Sequence, residues 1–225
     1  MVNERKKFMN YDPNAPFHTF DKFKMYGKAQ GESKVSVLSW GCWNGNPRIT
    51  VNTNIESDKT NKYGMITAAF NPETFFILLD HLKLLVDAPN DTGYKFECKT
   101  TTELSEGGRS EPFVASSVWI GKDSEGKIWI SVLIENRPKI KFVFMISNFH
   151  TIHEKGKGPI TEDHASRLQA KACANLLEQA YYKLVLDYKS NQGKRVKKEN
   201  ETFSNDSTTI TPTSSSDLNF DDIQM

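Results

Sequence analysis

Apolar and polar residues alternate through much of the first 150 positions, in runs too short for helices. The segments DKFKMYGKA (21–29), KVSVLSWGCW (34–43), PRITVNTN (47–54) and KYGMITAAF (62–70) are bounded by Gly, Asn, Pro or Asp, and they predict four strands. The period then changes. Asn71 is a good helix cap, Pro72 suits the first helical position, and Phe75, Phe76, Leu78, Leu79, Leu82, Leu85 and Val86 supply a broad apolar face ahead of Pro89. A helix over about 71–87 follows.

The same order then recurs. GYKFECKTT (93–101), ASSVWIG (115–121), KIWISVLIE (127–135) and KIKFVFMIS (139–147) are four more strand segments, with polar loops at 100–112 and 147–160. Thr161 caps a second helix, Glu162 and Asp163 suit its positive start, and Leu168, Ala172, Leu176, Ala180, Leu184 and Tyr188 recur at a helical interval. The expectation is an α+β fold of duplicated ββββα units, with antiparallel sheets and two helices packed on one side. An OB-like β-barrel with added helices is the second architecture.

Side chains alternate between the faces of a strand, so each strand can be sorted. Phe23 and Met25 oppose Lys22, Lys24, Tyr26 and Lys28; Val35 and Val37 oppose Lys34 and Trp40; Ile49 and Val51 oppose Arg48, Thr50, Asn52 and Asn54. In the second half, Val118 and Ile120 oppose Trp119, Ile128, Ile130, Val132 and Ile134 oppose Trp129 and Ser131, and Ile140, Phe142, Phe144 and Ile146 oppose Lys139 and Lys141. The apolar sides are expected beneath the helices. The other side then collects cations and aromatic rings, which is the mixture a single-strand binder needs: bases stack on rings and Lys or Arg neutralises phosphate. Lys24, Tyr26, Lys34, Trp40, Arg48, Trp119, Trp129, Lys139 and Lys141 are the candidate nucleic-acid-binding residues. A strand face of Lys and Trp is also ordinary in itself, because aromatic residues favour strands.

Charge changes that balance. The chain has 29 basic and 28 acidic residues, a net of +1, but residues 199–225 hold six of the acidic ones and no Lys or Arg. The other 198 residues therefore carry 29 basic against 22 acidic groups, a net of +7. A basic body with an acidic tail is a mark of nucleic-acid-binding proteins. From about 190 onward the chain is rich in Ser and Thr and poor in apolar residues, so 190–225 is expected to be disordered. The division expected is an arm over 1–19, a nucleic-acid-binding domain over 20–189, and the tail.

No window approaches the roughly 18 apolar residues that span a bilayer, and the N-terminus MVNERKKFMNYDPNAPF has no apolar secretion core, so a cytoplasmic location is expected. Cys42, Cys98 and Cys173 are odd in number and far apart, which fits neither a disulfide framework nor a zinc pattern. GKDSEGKI (121–128) matches part of a phosphate loop but has Ile128 where a magnesium-binding Ser or Thr belongs, and it lies between two strands, so it reads as a hairpin turn. His150 and His153, beside Glu154, lack a third ligand on a rigid frame. Neither catalytic residues, metal nor cofactor is expected.

Two ββββα units with one open sheet face resemble the Whirly-type single-stranded nucleic-acid binders, over about 20–188. That resemblance implies curved sheets, unpaired strands as ligands, and oligomers assembled through helices. The terminal DLNFDDIQM is similar to the acidic tips of bacterial single-stranded DNA-binding proteins and the acidic tails of their phage counterparts, on Asp217, Phe220, Asp221, Asp222 and Ile223. It implies a tail that recruits replication and recombination enzymes and competes with DNA for the basic site. Bacterial tips end in Pro-Phe, whereas this chain ends Gln224-Met225. Together these imply a non-enzymatic, phage-encoded homo-oligomer in the host cytoplasm that coats single-stranded DNA during replication, recombination and repair. An RNA-binding or transcription-regulating relative, or a protein-binding adaptor, is the alternative.

Overall fold

The computed structural model describes residues 17–20, 23–58, 64–103 and 108–187, without the side chains of 17, 18 and 187. The chain divides into two units, Met1–Lys189 and Ser190–Met225, and every described residue lies in the first. The fold is α+β, with antiparallel open sheets and two helices.

The first sheet contains β1 (Phe17–Thr19), β2 (Met25–Gly27), β3 (Ser36–Trp43), β4 (Asn46–Asn52) and β5 (Met65–Ala69). β1 pairs with residues 41–43 of β3 and β2 with residues 36–38, so the two short strands share one edge; β4 and β5 follow on the other side. Helix α1 (Pro72–Leu84) begins as its sequence dictates: Asn71 Oδ1 accepts from the Thr74 amide at 3.1 Å and Pro72 needs no partner for an N–H it lacks. It ends short of the expected Asp87, in a turn whose Val86 and Ala88 carbonyls accept from buried Lys122 Nζ at 3.2 and 2.7 Å.

The second sheet runs in chain order, β6 (Gly93–Thr100), β7 (Phe113–Lys122), β8 (Ile128–Leu133) and β9 (Phe142–Val143). β9 is two residues long where nine alternating residues predicted a full strand. Its backbone contact with β8 extends by one bond, from the Phe144 amide to the Ile128 carbonyl at 3.0 Å. A small hairpin of β10 (His153–Glu154) and β11 (Gly158–Pro159) precedes α2 (Glu162–Asp187).

Both helices press on both sheets. Phe75 of α1 meets Trp40 of β3 with ring centroids 6.1 Å apart, and His81 stacks edge-on to Tyr94 of β6 at 4.6 Å. Ser166 of α2 accepts from the Ile128 amide of β8 at 2.9 Å, while Tyr181, near the other end, donates to the Gly41 carbonyl of β3 at 2.5 Å. The residues of α2 that face this core are Ser166, Ala170, Cys173, Ala174, Leu177, Tyr181 and Leu184. The expected stripe is therefore corrected: Leu168 and Leu176 are exposed. A strict four-residue repeat overshoots each 3.6-residue turn by about 40° and walks off the buried face.

A candidate nucleic-acid interface on the outer sheet faces

Paired residues of an antiparallel sheet share a face, so register shows which side chains point away from the helices. On the first sheet the outward rows are Tyr26, Val37, Asn52 and Met65, then Ser39, Thr50 and Thr67, then Thr19, Gly41, Arg48 and Ala69. They enclose a shallow depression of about 450 Å³, with Lys24 at its wall. On the second sheet the rows are Lys95, Trp119 and Ser131, then Gly93, Gly121, Trp129 and Val143, then Glu97, Ser117 and Leu133. A depression of about 580 Å³ lies here beside Lys95, Trp119, Arg137 and Lys139.

Three tryptophans share one local arrangement. Arg48 lies over the Trp43 ring at 5.7 Å, Lys95 over Trp119 at 5.9 Å and Lys141 over Trp129 at 5.5 Å. A cation over an indole face is attracted by the ring quadrupole. Two of the three cations also carry a carboxylate: Lys95 Nζ is 2.7 Å from Glu97 Oε1 and Lys141 Nζ is 2.6 Å from Asp123 Oδ2. The hydrogen bond and charge of Lys95 hold the Glu97 carboxyl below its ordinary range. Partial burial pushes Asp123 up, but the Lys141 ammonium and the Lys127 amide overcome this and hold it below the ordinary aspartate range.

Trp40 is corrected most sharply. It was expected among the open-face rings, and it is fully buried against Phe75 on the helix side. Alternation read from Val35 and Val37 as inner residues inverts β3. Val35 is exposed, while Ser36, Leu38, Trp40 and Cys42 face the core, with the Ser36 hydroxyl satisfied by the Thr53 carbonyl at 2.6 Å. Trp43 takes the outward place. Its parity, shared with Ser39 and Gly41 and opposite to Leu38 and Cys42, was the available signal.

The other candidates are distributed unevenly. Lys24 lines the first depression, exposed Tyr26 stands opposite Val37 on the outward row, and Arg48 lies on the same sheet over the Trp43 ring. Lys34 lies ahead of β3, paired to Glu56 at 2.5 Å. Trp119, Trp129, Lys139 and Lys141 gather on or beside the second sheet. Lys95 belongs with them and was missed, although the alternation of Tyr94, Phe96 and Cys98 against Lys95, Glu97 and Lys99 could have revealed it. Asp217, Phe220, Asp221, Asp222 and Ile223 lie outside the described residues.

The phosphate-loop-like string closes the β7–β8 hairpin: the Gly126 amide donates to the Asp123 carbonyl at 2.9 Å, and the Asp123 amide to the Lys127 carbonyl at 3.0 Å. His150 and His153 are both exposed, and among the described residues no three His, Cys, Asp or Glu side chains converge as a metal site. Cys42, Cys98 and Cys173 are free and buried, and burial pushes the Cys173 thiol up to about 12. No described helix is long and apolar enough to cross a membrane. Comparison with protein-family models, curated proteins and solved structures finds no match to this chain.

Proposed function

We propose that this protein binds single-stranded DNA, coating and protecting unpaired strands in replication, recombination and repair without catalysing a reaction. The observation that carries the proposal is the set of three cation-covered tryptophans, Trp43, Trp119 and Trp129, on sheet faces turned away from both helices. Bases of any identity stack on such rings, and phosphate contacts carry no sequence information, so sequence preference is weak. The +7 body charge supports the same reading. So does the recurrence of an antiparallel sheet followed by a helix, five strands before α1 and four strands with a small hairpin before α2, which is compatible with a Whirly-like arrangement.

Two further parts belong to the proposal. The acidic and apolar residues Asp217, Phe220, Asp221, Asp222 and Ile223 recruit replication or recombination proteins. The chain assembles as a homo-oligomer, a reading supported by the outward apolar residues of α2, Leu176, Tyr182 and Leu186.

Titration with single-stranded and duplex oligonucleotides of one sequence, across a salt series, tests the central reading. Tighter binding of the single strand, with a log–log salt slope of about −0.7 per phosphate engaged, is expected. Equal affinity for both forms, or no salt dependence, sinks it. RNA of equal sequence in competition separates the DNA-specific from the RNA-binding version.

A further inference from the structure

We infer that Lys95, Trp119, Trp129 and Lys141 form one diagonal platform for two successive bases of a single strand, and that Glu97 and Asp123 hold its lysines as lids over the rings until nucleic acid displaces them. This rests on the DNA-binding reading above.

Register supplies the platform. Lys95 stands opposite Trp119; Trp119 stands opposite Ser131 and Trp129 opposite Gly121, so the two indoles are diagonal neighbours. Such neighbours lie about 7–8 Å apart, within reach of long side chains. Trp129 faces Val143, two residues beyond Lys141. A line from β6 to the start of β9 thus meets a cation, two indoles and a second cation. Gly121 lets the Trp129 ring lie down along it, because a Cβ there would meet ring atoms Cζ2 at 2.8 Å and Cε2 at 3.0 Å.

A cation already stands by each ring. Lys95 and Lys141 stand 5.9 and 5.5 Å over the two rings, in the space a stacking base needs. Their carboxylate partners, at 2.7 and 2.6 Å, fix them there and cancel the charge that would otherwise meet phosphate. Both contacts are exposed and weak, whereas a base stacked on an indole is worth more than either. Binding therefore exchanges partners: a base takes each ring, and the lysine leaves its carboxylate for the backbone phosphate.

The test uses the full chain, an oligothymidylate and a salt series, with Glu97→Gln, Asp123→Asn and their combination. Asparagine keeps an acceptor for the Lys127 amide in the hairpin turn, and Glu97→Gln lies outside that turn, so at least one variant leaves the hairpin intact. The lysines reach phosphate in wild type and variants alike, so the slope should stay near its wild-type value while each freed lysine, with no exposed ion pair to break, tightens binding by roughly 1.4- to 5-fold. Trp119→Ala and Trp129→Ala should each weaken binding by roughly 5- to 150-fold. Wild-type affinity in both carboxylate variants would overturn the lids. Loss at only one of the two tryptophans would overturn the two-base platform. A wild-type chain that binds no single strand would instead overturn the functional reading itself.

Discussion

Trp40 and Trp43 stand three residues apart in one strand and serve opposite faces. Trp40 is fully buried, so Trp40→Ala is expected to cost about 3–5 kcal/mol in denaturant unfolding. Trp43 is 41% exposed and covered by Arg48, so Trp43→Ala should cost about 1 kcal/mol, well below the Trp40 loss, while weakening single-strand binding several-fold. A variant pair showing the reverse would overturn the face assignment. Gly121 gives a second prediction at this scale: Gly121→Val drives a side chain into the Trp129 ring, so indole emission shifts and affinity falls toward that of Trp129→Ala. Unchanged emission would mean that the ring does not rest there. Alternation alone identified Arg48, Trp119, Trp129 and Lys141 correctly as outward. It failed in β3, where buried Ser36 and Ser39 and exposed Val35 break the match between polarity and exposure.

Elements show the same division between local and distant causes. The start of α1 was legible because its cap, proline and apolar face are all local. β9 and the buried side of α2 were not, since partners far away in sequence decide how much of a strand pairs and which stripe of a helix is covered. The tie between the Asp58 loop and the β8–β9 connection is likewise invisible in sequence: Arg137 Nη2 donates to Asp58 Oδ2 at 2.7 Å across 79 positions, and Thr53 donates to the same oxygen at 2.8 Å. Asp58 and Arg137 side chains are 3% and 12% exposed, so Asp58→Asn is expected to cost about 3–5 kcal/mol, read from a denaturant midpoint. A change below about 1 kcal/mol would show the pair to be dispensable. Acid should act on the β7–β8 turn by a related route. The folded Asp123 carboxyl is depressed, so its contribution is present above the ordinary aspartate value and is lost as pH falls through the lower folded value. Amide protection at Gly126 and Lys127, taken relative to intrinsic exchange at each pH, should fall over that window, and Asp123→Asn should remove that fall.

At the scale of the molecule, charge separates what contacts cannot. Deleting 214–225 removes Asp217, Asp221 and Asp222 and takes the net charge from +1 to +4. A more positive chain attracts a polyanion more strongly, but only where salt does not screen it: the Debye length is about 30 Å at 0.01 M and about 8 Å at 0.15 M. Truncation is therefore expected to tighten single-strand binding at low salt and to lose that gain by physiological salt. The apolar residues should behave differently. Phe220→Ala with Ile223→Ala keeps every charge, so on the proposed recruiting role DNA affinity is expected to stay at the full-length value while capture of replication or recombination proteins is expected to be lost. Identical DNA binding by full-length and truncated chains at low salt would remove the electrostatic role. Undiminished partner capture by the double alanine variant would remove the recruiting role, and the two results are independent because one variant changes charge and the other does not.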